Sequence, residues 1–176
     1  MKTYQLMHFD RHVDLEEQGG VYFGDPCYVV PDGHTKGDQP EDLWNDLCNL
    51  MYPNGEQDFD DRNNIRVVED DSGIKWYTWS TAYGDGCYRL NCNYNTMARL
   101  GVDAGMLSVI PLKLIKKWGT LAEAKHGGFV YTGPGTYGEM RVDNGDFEWN
   151  NFDIATSRET VGVSHWDDED EEDSEY

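Results

Sequence analysis

Three aspartates close to glycines are the residues of this chain best suited, by type and spacing, to do chemistry. Asp25 and Asp85 occupy the same position in two matching segments, GDPCY at Gly24–Tyr28 and GDGCY at Gly84–Tyr88, and Asp103 lies in a Gly-Val-Asp-Ala-Gly stretch. If the three carboxylates converge, they can bind a metal ion or act as acid and base, which is the chemistry of a metal-assisted hydrolase. The alternative is structural, because an aspartate in such a turn commonly accepts hydrogen bonds from backbone amides two residues further on.

Cysteine is the other reactive residue type in the two matching segments. Cys27 and Cys87 are potential nucleophiles, but no histidine forms a recognisable local signature with them, and a cysteine beside a tyrosine on a strand is more typical of a small core residue. Cys87 and Cys92 lack the matching Cys or His pair of a zinc site. We therefore expect reduced thiols in a cytosolic protein, with no metal and no cofactor.

The charge of the chain is far from balanced. It has 34 acidic and 14 basic residues, a formal net charge of −20. Eight carboxylates lie in the last ten residues, but without them 26 acidic residues still face 14 basic ones, so the rest of the chain carries −12. This charge repels nucleic-acid phosphates and anionic membranes and attracts basic partners. Direct binding to nucleic acid and membrane association are therefore not expected, and neither a signal peptide nor a membrane-spanning stretch is recognisable.

Two acidic segments form the predicted contact surface. One is the acidic loop around Asp58–Asp61 and Glu69–Asp71, and the other is the C-terminal run after Trp166. Trp166 is an aromatic residue suited to anchoring an interface. Such carboxylates can replace phosphates against a site lined with lysine and arginine. The alternatives are a solubilising, extended end for the run and packing against the last strand for Trp166. The predicted surface comprises Asp58, Asp60, Asp61, Glu69, Asp70, Asp71, Trp166, Asp167, Asp168, Glu169, Asp170, Glu171, Glu172, Asp173 and Glu175.

Turn residues divide the chain into many short strands. Asp70–Gly73 and Asn144-Gly145 are predicted to join hairpins. Large side chains on both faces of Ile74–Ser80 predict a central strand. The predicted strands are Tyr4–Phe9, Val21–Phe23, Cys27–Val30, Ile65–Val68, Ile74–Ser80, Cys87–Cys92, Leu100–Ile110, Phe129–Thr132, Glu139–Val142 and Phe147–Thr156.

Helical periodicity is clearest at Pro40–Met51, where apolar residues recur on one face after an acidic first turn. Pro111–Trp118 is predicted to form a second short helix, and Thr120–His126 a further turn. The fold class is therefore α+β, with a mostly antiparallel twisted sheet or a partly open barrel and one or two short helices. We expect residues 1–164 to form a single globular domain and residues 165–176 to form an acidic C-terminal tail.

Three short motifs resemble a loose group of uncharacterised small proteins of bacteriophages and bacteria. In that group a Gly-Asp-Gly turn runs into a strand, and a later Val-Asp-Ser/Ala-Gly strand pairs with it. Thr81–Tyr88 and Gly101–Gly105 carry these motifs here, and Gly24–Tyr28 resembles the N-terminal element of the group. The resemblance covers Val21–Ile115. No function is assigned to the group, so the resemblance implies only a phage-like origin and action in the bacterial cytoplasm.

These observations support one leading prediction and two alternatives. The leading prediction is a non-enzymatic protein that binds a basic surface of a host protein, such as a defence nuclease, a restriction enzyme or a transcription factor. It inhibits or redirects that protein by mimicking the charge of nucleic acid. One alternative is the metal-assisted hydrolase that uses Asp25, Asp85 and Asp103. The other is an immunity or antitoxin-like protein with one cognate toxin. The sequence does not predict the oligomeric state.

Overall fold

Two antiparallel sheets and three short helices make up the computed structural model, which describes residues 2–5, 18–33, 42–52, 65–133 and 139–157, the first of these ranges by its backbone only. The strands are β1 (Lys2–Gln5), β2 (Val21–Gly24), β3 (Arg66–Glu69), β4 (Lys75–Ser80), β5 (Gly86–Cys92), β6 (Asn95–Val102), β7 (Met106–Pro111), β8 (Phe129–Tyr131), β9 (Met140–Asp143), β10 (Asp146–Trp149) and β11 (Phe152–Ile154). The helices are α1 (Leu43–Met51), α2 (Leu112–Trp118) and α3 (Leu121–Gly127), and Pro26–Tyr28 forms one turn of 3-10 helix.

The six-stranded sheet contains the predicted hairpin of β3 and β4. The side chain of Asp70 closes its turn by accepting hydrogen bonds from the backbone amides of Ser72 (3.0 Å) and Ile74 (2.8 Å). The strand order is β1-β3-β4-β7-β2-β8, with all neighbours antiparallel. The prediction that β4 is central is confirmed, because Trp76 on one face of the strand and Tyr77 on the other are both buried.

The five-stranded sheet has the order β6-β5-β11-β10-β9, and tight turns join β5 to β6, β9 to β10 and β10 to β11. Asn144 (φ 48°) and Gly145 (φ 80°) form the predicted turn between β9 and β10. Both residues have left-handed φ, as a two-residue hairpin turn of this twist requires. Asn93 (φ 51°) and Tyr94 (φ 67°) have the same geometry between β5 and β6.

The alternation of side chains along the strands produces three layers. The sheets pack face to face, with the ring of Trp79 stacked on Phe147 at 4.3 Å between centroids and Phe23 at 4.9 Å from Phe152. Helices α1, α2 and α3 cover the opposite face of the six-stranded sheet. In the part of the chain that the structure describes, nothing covers the outer face of the five-stranded sheet.

The predicted strand at Cys27–Val30 is wrong. Pro26–Tyr28 forms a 3-10 helix instead, capped by the side chain of Asp25, which accepts a hydrogen bond from the backbone amide of Cys27 at 2.8 Å. Proline at the first helical position has its φ already set for a helical turn. The cap and the proline together outweigh the strand preference of the following valines.

Two other predicted strands each combine two real ones. Leu100–Ile110 is divided between β6 and β7, which belong to different sheets, and Gly105 turns the chain with a φ of 68°. Phe147–Thr156 is the hairpin of β10 and β11, which reverses at Asn150 with a φ of 55°. In both cases a residue with left-handed φ ends the extended run, as it does in tight turns.

The predicted α+β class is confirmed, and neither sheet closes into a barrel. Helix α1 lies within the predicted helix Pro40–Met51. At its start the side chain of Asp42 accepts a hydrogen bond from the amide of Asn45 at 2.9 Å, and the helix buries Leu47 and Met51. The four cysteines are half-buried, and no disulfide joins any two of them. Within the described ranges, no helix has the length and apolar character needed to cross a membrane.

Candidate functional site

Asp25, the buried member of the three predicted site aspartates, is held by backbone amides. Its Oδ1 accepts a hydrogen bond from the amide of Cys27 (2.8 Å), and its Oδ2 accepts from the amides of Asp103 (2.7 Å) and Ala104 (2.8 Å). The first contact is the turn cap that the structural alternative predicted. The other two fasten the turn where the chain passes from β6 in one sheet to β7 in the other. Burial raises the pKa of Asp25 above its usual value, and the hydrogen bonds from the amides oppose this rise without cancelling it.

Two tyrosines contact the turn that contains Asp25 and the turn between β6 and β7. The hydroxyl of Tyr28 donates to Oδ2 of Asp103, and the hydroxyl of Tyr22 donates to the backbone carbonyl of Asp25 at 2.8 Å. Burial raises the pKa of both phenols, and the neighbouring carboxylates add to the rise. Both tyrosines therefore remain protonated donors at neutral pH. The Tyr28 contact joins the Gly-Asp turn to the chain between β6 and β7, whereas the Tyr22 contact closes the Gly-Asp turn itself.

Asp85 is exposed and lies near the turn between β6 and β7. Gly86 of β5 pairs with Val102 of β6, so Asp85 and Asp103 are the next residues at that end of the hairpin. The described residues contain no group of three His, Cys, Asp or Glu side chains placed to hold a metal ion. Because backbone amides occupy Asp25 and a tyrosine occupies Asp103, these contacts favour the structural reading, and the metal-assisted hydrolase stays a prediction.

The predicted acidic contact surface falls only partly within the described residues. Asp71 is exposed, and Glu69 is half-buried at the end of β3. Asp70 is occupied by its own turn and by Lys117, whose Nζ lies 2.9 Å from Oδ2 of Asp70. Burial alone would raise the pKa of Asp70, but the hydrogen bonds from Lys117 and from the turn lower it below its usual value. Asp58, Asp60, Asp61, Trp166, Asp167, Asp168, Glu169, Asp170, Glu171, Glu172, Asp173 and Glu175 lie outside the described residues.

A groove that the sequence reasoning missed lies on the outer face of the five-stranded sheet. It has a volume of about 530 Å³ and lies beside the tips of the β5–β6 and β10–β11 hairpins. Four asparagines, three acidic residues and one tyrosine supply the polar part of its lining, and none of the described residues that line it is a lysine or an arginine. These polar residues are Asn91, Asn93, Asn150, Asn151, Asp146, Glu148, Asp153 and Tyr94.

Side chains from three strands fix one carboxylate of the groove. The hydroxyl of Thr96 on β6 donates to Oδ1 of Asn91 on β5 at 3.1 Å, and Nδ2 of Asn91 donates to Oδ1 of Asp153 on β11 at 3.0 Å. The register places Glu148 of β10 directly opposite Asp153. Like charges directly opposite each other on neighbouring strands destabilise a sheet. The Glu148–Asp153 pair by itself is therefore unfavourable for the sheet, although Arg141 of β9 lies opposite Glu148 on its other side.

The third carboxylate of the groove has a structural role. Asp146 accepts hydrogen bonds from the backbone amides of Thr156 (2.7 Å) and Ser157 (2.8 Å) and from the hydroxyl of Ser157 (2.6 Å). These contacts fasten the chain that leaves β11. In the described part of the chain neither Glu148 nor Asp153 forms an ion pair with a lysine or an arginine, so these two carboxylates are the ones available to a ligand.

Tyr94 stands beside these carboxylates at the tip of the β5–β6 hairpin. Its side chain is 99% exposed and its φ is 67°. Glycine is the usual residue at this position of such a turn, and a bulky residue there costs on the order of 1 kcal/mol. The exposed ring gains no packing energy to offset that cost. The position is therefore a candidate for contact with a ligand.

The groove is not predicted from the sequence, because the sequence predicts one continuous strand at Phe147–Thr156. In a single strand, Glu148 and Asp153 are five positions apart and point to opposite faces of the sheet. The reversal at Asn150 brings them opposite each other on one face. The signal that marks this turn is the pair Asn150-Asn151 between two aromatic stretches, because asparagine tolerates left-handed φ.

The chain matches no protein-family model, no curated protein and no solved structure. Its function is therefore inferred from the geometry of its own residues.

Proposed function

We propose that this chain is a binding protein whose partner presents a basic protein surface. The observation that carries the proposal is the groove, where Glu148 and Asp153 face each other and no described lining residue is basic. Such a groove repels anions and favours ammonium or guanidinium groups. The net charge of −20 acts in the same direction at longer range.

The net charge of the chain and the carboxylates of the groove contribute to binding in different ways. The overall field accelerates the encounter with a basic partner, whereas the fixed carboxylates of the groove select the docked orientation. Added salt weakens the long-range part, since the Debye length falls from about 10 Å at 0.1 M to about 3 Å at 1 M ionic strength. We therefore expect binding that depends strongly on ionic strength.

A basic surface of this kind is typical of proteins that bind nucleic acid. In the proposal, carboxylates of this chain take the place of phosphates on that surface, so that the partner, a host protein in the bacterial cytoplasm, is inhibited or redirected. An immunity protein with one cognate toxin is a narrower form of the same proposal. The exposure of Glu148 and the partial exposure of Asp153 support it, because a partner has to contact these carboxylates.

The proposal is tested by capture from a bacterial lysate at about 0.1 M and about 1 M salt, the range over which screening changes most. The immobilised proteins are the wild-type chain, the double variant E148Q/D153N, and the control D71N/D85N, which removes two charges from exposed residues outside the groove. A chain truncated after His165 tests the predicted acidic tail separately. Captured proteins are identified by mass spectrometry, purified, and tested for loss of binding to duplex DNA.

We expect a basic nucleic-acid-binding protein to be recovered at low salt and lost at high salt. Recovery should fall by about tenfold with E148Q/D153N, as expected for the loss of a charge pair at an interface, and little with D71N/D85N. The proposal is wrong if the captured proteins stay bound at high salt. It also fails if the purified partner binds DNA equally well with and without the chain. Loss of binding upon truncation alone would place the contact on the acidic tail instead of the groove.

A further inference from the structure

We infer that the groove is a recognition site for arginine, so that the partner inserts a guanidinium group between Glu148 and Asp153. The inference rests on the proposed function and deepens it by naming the chemical group that is bound. It is carried by the register that places the two carboxylates opposite each other, by the hydrogen bond that orients one of them, and by the exposed ring of Tyr94 at the rim.

The register of Glu148 and Asp153 suits a planar cation with several donors. Asp153 uses Oδ1 to accept the amide of Asn91, which leaves Oδ2 for a ligand together with the two oxygens of Glu148. Residues directly opposite each other in an antiparallel pair have Cβ atoms about 4.5–5.5 Å apart. A guanidinium group has five N–H donors in a fixed plane and can bridge two acceptors across that distance.

The site is organised before a ligand arrives. Asn91 on the neighbouring strand β5 donates to Asp153, and Thr96 on β6 in turn holds Asn91, so the carboxylate of Asp153 does not lose much freedom on binding. Arg141, the other cross-strand neighbour of Glu148, is the closest arginine in the register, but it pairs with Glu139 at 3.6 Å. A guanidinium from outside adds a positive charge between Glu148 and Asp153, where no described lysine or arginine forms an ion pair with either carboxylate.

Tyr94 and the asparagines distinguish arginine from lysine. A guanidinium stacks on an aromatic face as well as binding carboxylates, and it is less strongly hydrated than an ammonium group. The exposed ring of Tyr94 offers such a face beside the groove, and the side-chain oxygens of Asn93 and Asn150 offer acceptors for the remaining N–H groups. Lysine presents one compact charge and uses fewer of these contacts.

The test is an NMR titration of the full-length, nitrogen-15-labelled chain with three short peptides. Each peptide is acetylated and amidated in a glycine-serine background, and the central residue is arginine, lysine or the neutral arginine analogue citrulline. The variants are D153N, which keeps an oxygen that accepts from Asn91, E148Q, and the control D85N, which lies at the opposite end of β5 from the groove. The spectrum of each free variant confirms that it is folded.

We expect the arginine peptide to shift the side-chain amides of Asn91, Asn93 and Asn150 and to bind more tightly than the lysine peptide. D153N and E148Q should each weaken it by about tenfold, the effect of losing one hydrogen bond to a charged group, whereas D85N should change affinity less than about twofold. The citrulline peptide should cause no shift.

The remaining outcomes separate this inference from the proposed function. Equal binding of the arginine and lysine peptides, weakened as much by D85N as by D153N, refutes the arginine site and leaves general recognition of basic surfaces intact. The same holds if no peptide binds while a partner is still captured in a salt-dependent way. Binding of the citrulline peptide as tight as that of the arginine peptide contradicts both, because charge would then be unnecessary.

Discussion

The substitution Asp25→Asn tests whether this buried carboxylate is a structural anchor. Asp25 is fully buried and accepts three backbone amides, one at Oδ1 and two at Oδ2. In asparagine one of these oxygens becomes an NH2 group, which cannot accept a hydrogen bond and faces an amide donor. At least one buried amide then loses its partner, and the surviving bonds are to a neutral acceptor.

The magnitude follows from the contacts. A hydrogen bond to a charged group contributes about 1.5–3 kcal/mol, and an unsatisfied buried donor costs about 1–3 kcal/mol. We therefore expect D25N to lower the free energy of unfolding by about 3 kcal/mol, a large part of the stability of a typical domain. D25A removes all three contacts and should cost more.

Urea unfolding followed by tryptophan fluorescence measures this change, provided that the urea dependence of the unfolding free energy (the m-value) stays the same. Asp85→Asn is the matched control because Asp85 is exposed, and it should stay within about 0.5 kcal/mol of the wild type. If D25N is also within about 0.5 kcal/mol of the wild type, the reasoning about the three amides is wrong. A catalytic role for Asp25 would then regain weight, because its carboxylate would not be needed for folding.

Two further predictions concern local features of the fold. Tyr94→Gly should raise the free energy of unfolding, measured in urea, by about 0.5 kcal/mol. Glycine adopts the left-handed φ without strain, the relief of that strain exceeds the entropy cost of glycine, and the exposed ring packs against nothing. A variant less stable than the wild type would contradict this. The Asp70–Lys117 pair should stabilise the protein only while Asp70 is ionised, and the pKa of Asp70 is lowered in the folded state. The difference in unfolding free energy between the wild type and Lys117→Met should therefore be complete above pH 3.8, the usual pKa of an aspartate, and should disappear as the pH falls through the lowered pKa of Asp70. A difference that does not change with pH would exclude the ion pair as its cause.

Local chemistry determined much of the fold from the sequence alone. The hairpin across Asp70–Gly73 and the turn at Asn144-Gly145 are confirmed because their residues favour tight turns whatever surrounds them. The central position of Ile74–Ser80 was predictable because large side chains alternate onto both of its faces. The α+β class followed from turn chemistry and periodicity in the same way.

Tertiary structure decided where the chain reverses and which distant residues meet. Gly105 and Asn150 can continue a strand or end it, and only the pairing of the sheets selects the left-handed φ that divides each predicted strand in two. Asp25 finds two of its donors 78 and 79 residues away, a separation that no local pattern encodes. The pairing of Glu148 with Asp153 depends on the reversal at Asn150, because the same residues on one continuous strand face opposite sides of the sheet.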